Sequence, residues 1–373
     1  MLTLGGLTGN MRAMLNGAIV GLGYIAGKGH LPAYLKMKDV RIVAVADITK
    51  ARREYAKQTI PGVRTYETHE QLLAAERDLH FIDIATPPCD HASIAEAAAA
   101  RGIHVLCEKP LTTSAESARK LMLTAAAKKV VIFPCHNYKH APVIGEVRNI
   151  LSSGKIGEVT TATLATYRPT HARGVAEWLT DWRRVRRYSG GGIAMDHGSH
   201  SFYLMFLFMG AYPTAVSAKA FTVAGEWDTE DNVTAALSFP RGFANVFLTW
   251  TAGARKVIYT IQGTRGAITI SDDDFELATA SGVEKRTIVS AFNDASHTSW
   301  FTSLFDAFRD AIARKQYVSR ELEEAYVCVH LIERIYDSAA ADCRELPVET
   351  DFAFLRKPPA RARRANGHAA VAE

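Results

Sequence analysis

Three stretches of the chain carry side chains whose types and spacing can do chemistry. Glu108-Lys109-Pro110 closes an apolar run, Ile103 to Cys107, that reads as a buried strand with a capped helix after it. A charged pair at the C-terminal end of a parallel strand stands where open α/β sheets bind ligands. The proline fixes the chain so that the Lys109 ammonium is held at a set angle. Taken alone, the triplet reads equally as a polar turn with a surface lysine. The second stretch, Gly21-Leu22-Gly23-Tyr24-Ile25-Ala26, follows a short strand and opens a helix. Its spacing supplies a glycine for the tight turn, a glycine where backbone approaches a pyrophosphate, and a small third residue for helix–strand packing. Asp47, at the end of the second strand and roughly 20 residues on, is placed to accept ribose hydroxyls. It would repel a 2′-phosphate, so NAD is expected over NADP, although Lys50, Arg52 and Arg53 soften that preference. A P-loop does not fit: Gly27-Lys28 is followed by Gly29, and Leu22 stands where its first glycine belongs.

The third stretch runs from Ser189-Gly190-Gly191-Gly192 through Asp196, His197 and His200. The glycines let a ligand approach the backbone. Asp196 and His200 lie i, i+4 at the entry of an apolar helix running to Met209, which puts both on one face. A carboxylate beside an imidazole is an acid–base pair, the carboxylate setting the tautomer and raising the basicity of the ring. The structural alternatives are a helix cap for Asp196 and a satisfied core histidine for His200. Asp196, His197 and His200 also offer metal ligands. Three residues from one helical turn seldom close such a site, and no Cys/His cluster accompanies them, so no metal is expected.

The elements that must position these residues alternate in the first half of the chain. Strand-like runs at Asn16–Val20, Val40–Ala46, Phe81–Ala85, Ile103–Cys107 and Val130–Phe133 are separated by helices at Ile25–Lys36, Lys50–Gln58, His91–Arg101 and after Thr113. Pro32 should kink or shorten the first helix. Thr68-x-x-Gln71 and Thr113-x-x-Glu116 have capping-box spacing. Apolar strands alternating with helices argue a parallel sheet covered on both faces. The second half reads as α+β. A helix spans Pro142–Ser152, and strands run at Glu158–Tyr167, Ala215–Phe221, Val233–Phe239, Phe243–Trp250, Val257–Gln262 and Ala267–Ile270. Two helices then cover Ser299–Ala313 and Arg320–Cys343. Consecutive strands on short turns argue an open, mostly antiparallel sheet. The expected organisation is an arm (1–15), a dinucleotide-binding domain (16–136), a substrate-binding and oligomerisation domain (137–355), and a basic, disordered tail (356–373).

Composition narrows the class. With 48 % hydrophobic and 22 % charged residues the 373-residue chain is globular. Its net charge of +5 lies partly in the tail, and no interleaved aromatic and basic stripe suggests nucleic acid. Five scattered cysteines without a C-x-x-C pair read as reduced thiols of a cytoplasmic protein. The start lacks the features of an export signal, and Met11 or Met14 could equally be the natural first residue. Phe202–Met209 is far too short to span a bilayer.

Together the motifs resemble the Gfo/Idh/MocA family of NAD(P)-dependent oxidoreductases. The resemblance rests on the glycine loop with His30, Ala46-Asp47, Thr86-Pro87-Pro88 with His91, and Glu108-Lys109-Pro110. It continues in Ser153–Glu158, Asp181-Trp182-Arg183, Gly190-Gly191-Gly192 through Asp196 and His200, and Asp337-Ser338-Ala339. It covers nearly the whole chain. It implies a Rossmann domain followed by an α/β domain whose open sheet makes dimer or tetramer contacts, and a cis Lys109–Pro110 peptide. Gly21, Gly23, Tyr24, Ile25, Ala26, Asp47, Thr86, Pro87, His91, Glu108, Trp182 and Arg183 are then expected at the cofactor. Lys109, Asp196 and His200 are expected as catalytic groups, with Tyr138, Arg183 and His197 on the substrate side. The activity implied is hydride transfer between a secondary alcohol of a sugar or cyclitol and nicotinamide. Two alternatives stay open: an enzyme that keeps NAD bound and oxidises a sugar transiently, and a non-catalytic NAD-binding sensor or partner protein.

Overall fold

In the computed structural model the described residues are 14–290, 292, 294 and 296–355. All but the last two residues of the expected arm, and the whole expected tail, lie outside them. The apolar runs of the first half form β1 (Leu15–Val20), β2 (Val40–Ala46), β3 (Arg64–Tyr66), β4 (Phe81–Ile84), β5 (His104–Cys107) and β6 (Ile132–Pro134). Between them lie α1 (Leu31–Tyr34), α2 (Lys50–Thr59), α3 (His69–Ala75), α4 (Pro88–Ala100) and α5 (Ala115–Lys128). The strands pair in parallel in the order β3-β2-β1-β4-β5-β6. The order reverses between β1 and β4, and the crevice outside the C-terminal strand ends at such a point is where doubly wound sheets bind ligands. Gly21 follows β1, Thr86 follows β4 and Lys109 follows β5, so all three open onto it.

Three local expectations need correction. The helix read over Ile25–Lys36 contains a π turn, Ala26–His30, in which Leu31 N–H bonds to the Ala26 carbonyl before α1 continues to Tyr34. Pro32 has no N–H to give and its ring crowds the carbonyl four residues back, so widening the preceding turn relieves both problems without a break. Next, α4 starts at Pro88 rather than His91, because a proline suits the first helical turn, where its missing N–H costs nothing. Finally, the cap of α5 is Ser114, which accepts the Ser117 N–H, and not Thr113.

The second half folds as α6 (Pro142–Ser152), β7 (Val159–Tyr167), α7 (Arg186–Ser189), α8 (Ser199–Met209), β8 (Ala215–Phe221), β9 (Asn232–Phe239) and β10 (Gly242–Thr249). It continues through β11 (Lys256–Gly263), β12 (Gly266–Ser271), β13 (Asp274–Thr279), β14 (Gly282–Thr287), α9 (Thr298–Ala313), α10 (Arg320–Ala340) and β15 (Leu346–Pro347). The nine strands form a mixed sheet, β14-β13-β12-β11-β7-β10-β9-β8-β15, in which only β7 and β10 pair in parallel. One face buries Leu164, Val246, Tyr259 and Ile261 against Phe202 and Phe206 of α8 and Leu331 of α10. The last two helices return to the first sheet. Phe301, Phe305 and Phe308 of α9 pack with Ile19 and Phe81 on one face, and Leu322 and Ala325 of α10 join the core on the other. Each fully buried phenylalanine contributes roughly 1.5–3 kcal/mol, so α9 fixes the two sheets firmly against each other. Among the described residues no helix is long and apolar enough to cross a membrane, and the five cysteines are free thiols.

Candidate active site

A cavity of about 730 Å³ opens at the strand ends, and its wall contains both the glycine loop and the Lys109, Asp196 and His200 side chains. Gly21 sits at φ +86°, and a Cβ there would lie 2.8 Å from the Thr86 amide nitrogen, so no other residue fits. A Cβ on Gly23 would meet nothing within 4 Å, which leaves its backbone bare to the cavity. Tyr24, Ile25, Thr86 and Pro87 line the same wall, while Ala26 is fully buried as the packing residue. Asp47 is held by the Leu22 N–H at 2.8 Å on one carboxylate oxygen, and by the Thr49 N–H at 2.8 Å and hydroxyl at 2.7 Å on the other. Of the basic neighbours, Arg52 donates to the Leu22 carbonyl at 2.6 Å and Arg53 to the Asp47 carbonyl at 2.7 Å. Both are thereby anchored to backbone. Thr86 Oγ1 and Asn137 Oδ1 are buried in the wall without a partner. These features fit NAD: bare loop backbone for the pyrophosphate, a fixed carboxylate for ribose, and unmet polar atoms that a bound molecule would satisfy.

The Lys109–Pro110 peptide is cis, as the resemblance implies. Behind it lies a buried charged cluster. His30 Nδ1 is 2.9 Å from Asp83 Oδ2, and its Nε2 is 3.2 Å from Glu108 Oε1. Burial alone would depress the pKa of this ring, but the Asp83 carboxylate, helped by Glu108, overrides burial and raises it to about 10. His30 is therefore an imidazolium that donates both N–H groups. Asp83 Oδ2 also accepts the Tyr34 hydroxyl at 3.0 Å, and Glu108 Oε2 accepts the Lys109 N–H at 3.1 Å. His30, Glu108 and Cys135 come within metal-ligand spacing of one another, but a doubly protonated ring has no lone pair to give. His91, expected at the cofactor, is instead buried with Nδ1 and Nε2 each 2.9 Å from the Pro110 and Thr86 carbonyls, so it braces the two loops from behind the cavity wall.

The acid–base pair expected between Asp196 and His200 does not form. Among the described residues no hydrogen bond or ion pair joins the two: Asp196 lies in a π turn, Ala194–Gly198, and His200 in the first turn of α8. Asp196 pairs instead with Lys109 and Arg183. Lys109 Nζ donates to the Asp196 carbonyl at 2.8 Å and to its Oδ1 at 3.1 Å, and Arg183 Nε donates to the same Oδ1 at 3.1 Å. Burial would raise the Asp196 pKa, but the Lys109 and Arg183 charges hold it far below the carboxylate range. Asp196 is thus an anchor for Lys109. The Arg183 guanidinium also lies 4.2 Å above the Trp182 ring, and both side chains line the cavity.

His200 is buried, and burial followed by the Lys109 charge keeps its pKa well below the usual histidine value. Its Nδ1 lies 2.7 Å from the Tyr203 hydroxyl, and that hydroxyl already accepts the Tyr138 N–H at 3.1 Å. The buried Tyr203 O–H needs an acceptor and His200 Nδ1 lies within reach, so Nδ1 accepts and the ring proton sits on Nε2. The Tyr138 ring lies 4.1 Å from the His200 ring, and its neighbour Lys139 turns away to pair with Glu324. His197 also lines the cavity, its Nε2 buried without a partner, and burial plus the Arg168 charge keep it neutral.

Sequence reasoning missed Tyr203, Glu230, Arg168 and Arg255. Both Glu230 carboxylate oxygens accept the Gly192 N–H, at 2.9 and 3.0 Å, and one accepts the Ala194 N–H at 3.0 Å, so this side chain ties down the turn that carries Asp196. A Cβ on Gly192 would lie 1.8 Å from the Glu230 carbonyl oxygen, which explains why that position is glycine. No local pattern announces Glu230, since it sits in a loop 38 residues from the turn it holds.

The fold and this cavity define an NAD-binding Rossmann oxidoreductase. Residues 15–136 match the family model for the NAD-binding Rossmann fold of the Gfo/Idh/MocA oxidoreductases, and residues 144–269 match that for their C-terminal domain. The chain belongs to the Gfo/Idh/MocA family. It is 25 % identical to levoglucosan dehydrogenase of Pseudarthrobacter phenanthrenivorans, over 88 % of this chain and 97 % of that one. It is 26 % identical to inositol 2-dehydrogenase of Rhizobium meliloti, over 86 % and 96 %. The solved structure of levoglucosan dehydrogenase in complex with NADH superposes with a TM-score of 0.78 at 23 % identity, covering 90 % of this chain and 99 % of that one, which is a likeness of fold.

Proposed function

We propose that this protein is an NAD-dependent dehydrogenase that oxidises a secondary alcohol on a sugar, cyclitol or related polyol. The observation that carries this reading is the single cavity whose wall holds both the glycine loop and the Lys109, Asp196 and His200 group. Relatives named as levoglucosan and inositol dehydrogenases support the substrate class. Bound NAD supplies the hydride acceptor. The chain supplies the rest. Two Lys109 N–H groups point to Asp196, which aims the remaining valence of Nζ into the cavity; in its neutral amine form Lys109 accepts the proton of the substrate hydroxyl there and releases it to solvent. His200 presents Nε2–H to the same oxygen and stabilises the alkoxide as it develops. Asp196 and Arg183 hold the lysine in place and take no proton. In the same proposal, the open face of the nine-stranded sheet, where Phe243 and Val283 are exposed, carries contacts between copies of the chain.

The direct assay is NADH formation with a panel of sugars, inositols and sugar acids. Net NADH accumulation supports the dehydrogenase. NAD that stays bound without net reduction while product forms would replace it with a cycling enzyme, and no turnover with any of them would favour a binding protein. The assigned tautomer gives a second result to look for. Tyr203→Phe removes the donor that blocks Nδ1, which makes His200 easier to protonate. The His200 imidazole pKa, followed by NMR, should then rise above its wild-type value, with NAD affinity unchanged. An unmoved pKa would overturn the assignment.

A further inference from the structure

The three glycines ahead of Asp196 are filled by the protein itself. A Cβ on Gly190 would lie 2.8 Å from Cγ2 of Thr113, in the loop that follows Lys109. One on Gly191 would lie 2.0 Å from the Tyr336 hydroxyl oxygen, and Glu230 closes off Gly192. Glu230 is buried, and three successive amides end on it. Gly192 and Ala194 give their N–H groups to its carboxylate and Ile193 gives its own to the Glu230 carbonyl, at 2.9 to 3.1 Å. Tyr336 of α10 adds its hydroxyl to Oε1 at 3.0 Å. Each side-chain bond is donated to Glu230, which is what an acceptor-only carboxylate receives. Burial pushes its pKa up, and the amides and the Tyr336 hydroxyl work against burial.

The turn that these amides open, Ala194–Gly198, has no side-chain cap of its own. Without Glu230 its first N–H groups would be buried orphans, which is costly enough to reshape the turn. The line of bonds runs on to the catalytic group. Gly192 gives its N–H to Glu230 and takes the Asp196 N–H on its carbonyl at 3.0 Å. Asp196 in turn takes Lys109 Nζ on both its carbonyl and Oδ1. Neither Glu230 nor Tyr336 stands in the wall of the catalytic cavity. We propose that Glu230, steadied by Tyr336, is a positioning residue that acts through Gly192 and Asp196 to hold Lys109 Nζ at the angle from which it takes the substrate proton. This inference rests on the dehydrogenase reading above. No proton moves at Glu230, so losing it changes the geometry of the step and leaves its chemistry as it was. A misplacement of about 1 Å at the reacting group is enough to cost on the order of 10²-fold in rate.

Two variants test the role. Glu230→Gln keeps the shape of the side chain but turns one acceptor oxygen into a donor that faces the N–H groups of the turn. Tyr336→Phe keeps the carboxylate and removes the hydroxyl that steadies it. With the fastest polyol of the panel, Glu230→Gln should lower kcat by roughly 10- to 100-fold, with KM and NAD affinity within about threefold of wild type. Tyr336→Phe should give a smaller loss of the same kind. In a Lys109→Ala background Glu230→Gln should cost nothing further, because the group it positions is gone, whereas a merely structural role lowers both backgrounds by the same factor. A readout without turnover is the rate at which formaldehyde and cyanoborohydride methylate Lys109, followed by peptide mass spectrometry with the exposed Lys120 as internal reference. Glu230→Gln should raise that rate severalfold as Lys109 comes loose from Asp196. Faster methylation in the variant, with no NADH formed by wild type, would uphold the positioning role while refuting the dehydrogenase reading. Should circular dichroism show Glu230→Gln unfolded, Tyr336→Phe decides by the same two comparisons. A kcat within about twofold of wild type, an equal loss in both Lys109 backgrounds, or unchanged methylation of Lys109 would overturn the inference.

Discussion

Lys109→Ala is expected to lower kcat by roughly 10²–10⁴-fold while leaving NAD binding within a fewfold of wild type. Among the described residues, Lys109 is the group that both bonds Asp196 through Nζ and carries, in the proposed mechanism, the substrate proton. The variant does not strip Asp196 of compensation, because Arg183 still bonds to the same carboxylate oxygen at 3.1 Å. The fold should therefore survive, and the loss should fall on the chemical step. His200→Ala should cost less, since it removes a hydrogen bond to the developing alkoxide and leaves the proton path in place. Steady-state NADH formation, with NAD affinity measured on the same preparations, checks both. A Lys109→Ala enzyme within tenfold of wild type would remove the lysine from the chemistry.

His30→Ala should destabilise the protein by about 3–5 kcal/mol, because it leaves Asp83 and Glu108 as buried carboxylates without their shared cation. The pH dependence has a definite sign. The folded-state pKa of His30, about 10, lies above its ordinary value of 6.5, so its contribution is fully present below 6.5 and is lost as pH rises towards 10. Urea denaturation across that interval should show wild-type stability falling with a component that is missing in His30→Ala. Because Glu108 also bonds the Lys109 N–H, the same variant should blunt kcat. Equal slopes for the two proteins would mean that His30 is neutral in the native state.

What was legible in the sequence was what the local backbone demands. Gly21 announces itself because a positive φ tight against Thr86 admits no side chain, and Asp47 because it ends a strand at a set distance from that turn. The parallel sheet was legible because its strands are apolar on both faces. The edge of the second sheet was not: β14 is exposed along its whole length and shows no alternation, and β13 alternates only over the four residues Asp274–Leu277. At the site, Lys109, Asp196 and His200 were found but their partnership was misread. An i, i+4 spacing puts two residues on one face but does not pair them: Asp196 bonds to Lys109, 87 residues away in sequence, and His200 to Tyr203. Glu230, Arg168 and Arg255 reach the site only through the second sheet, whose strand pairing brings Arg168 and Arg255 together across 87 residues of chain.

The most direct measurement follows the hydrogen itself. The polyol or sugar acid with the fastest turnover, deuterated at the carbinol carbon, is incubated with the enzyme and NAD, and the NADH formed is analysed by mass spectrometry. The cavity that joins the glycine loop to Lys109 and His200 predicts deuterium on the nicotinamide ring in wild type and its near disappearance in Lys109→Ala. Deuterium lost to solvent, or product formed without labelled NADH, would contradict hydride transfer as the purpose of this site.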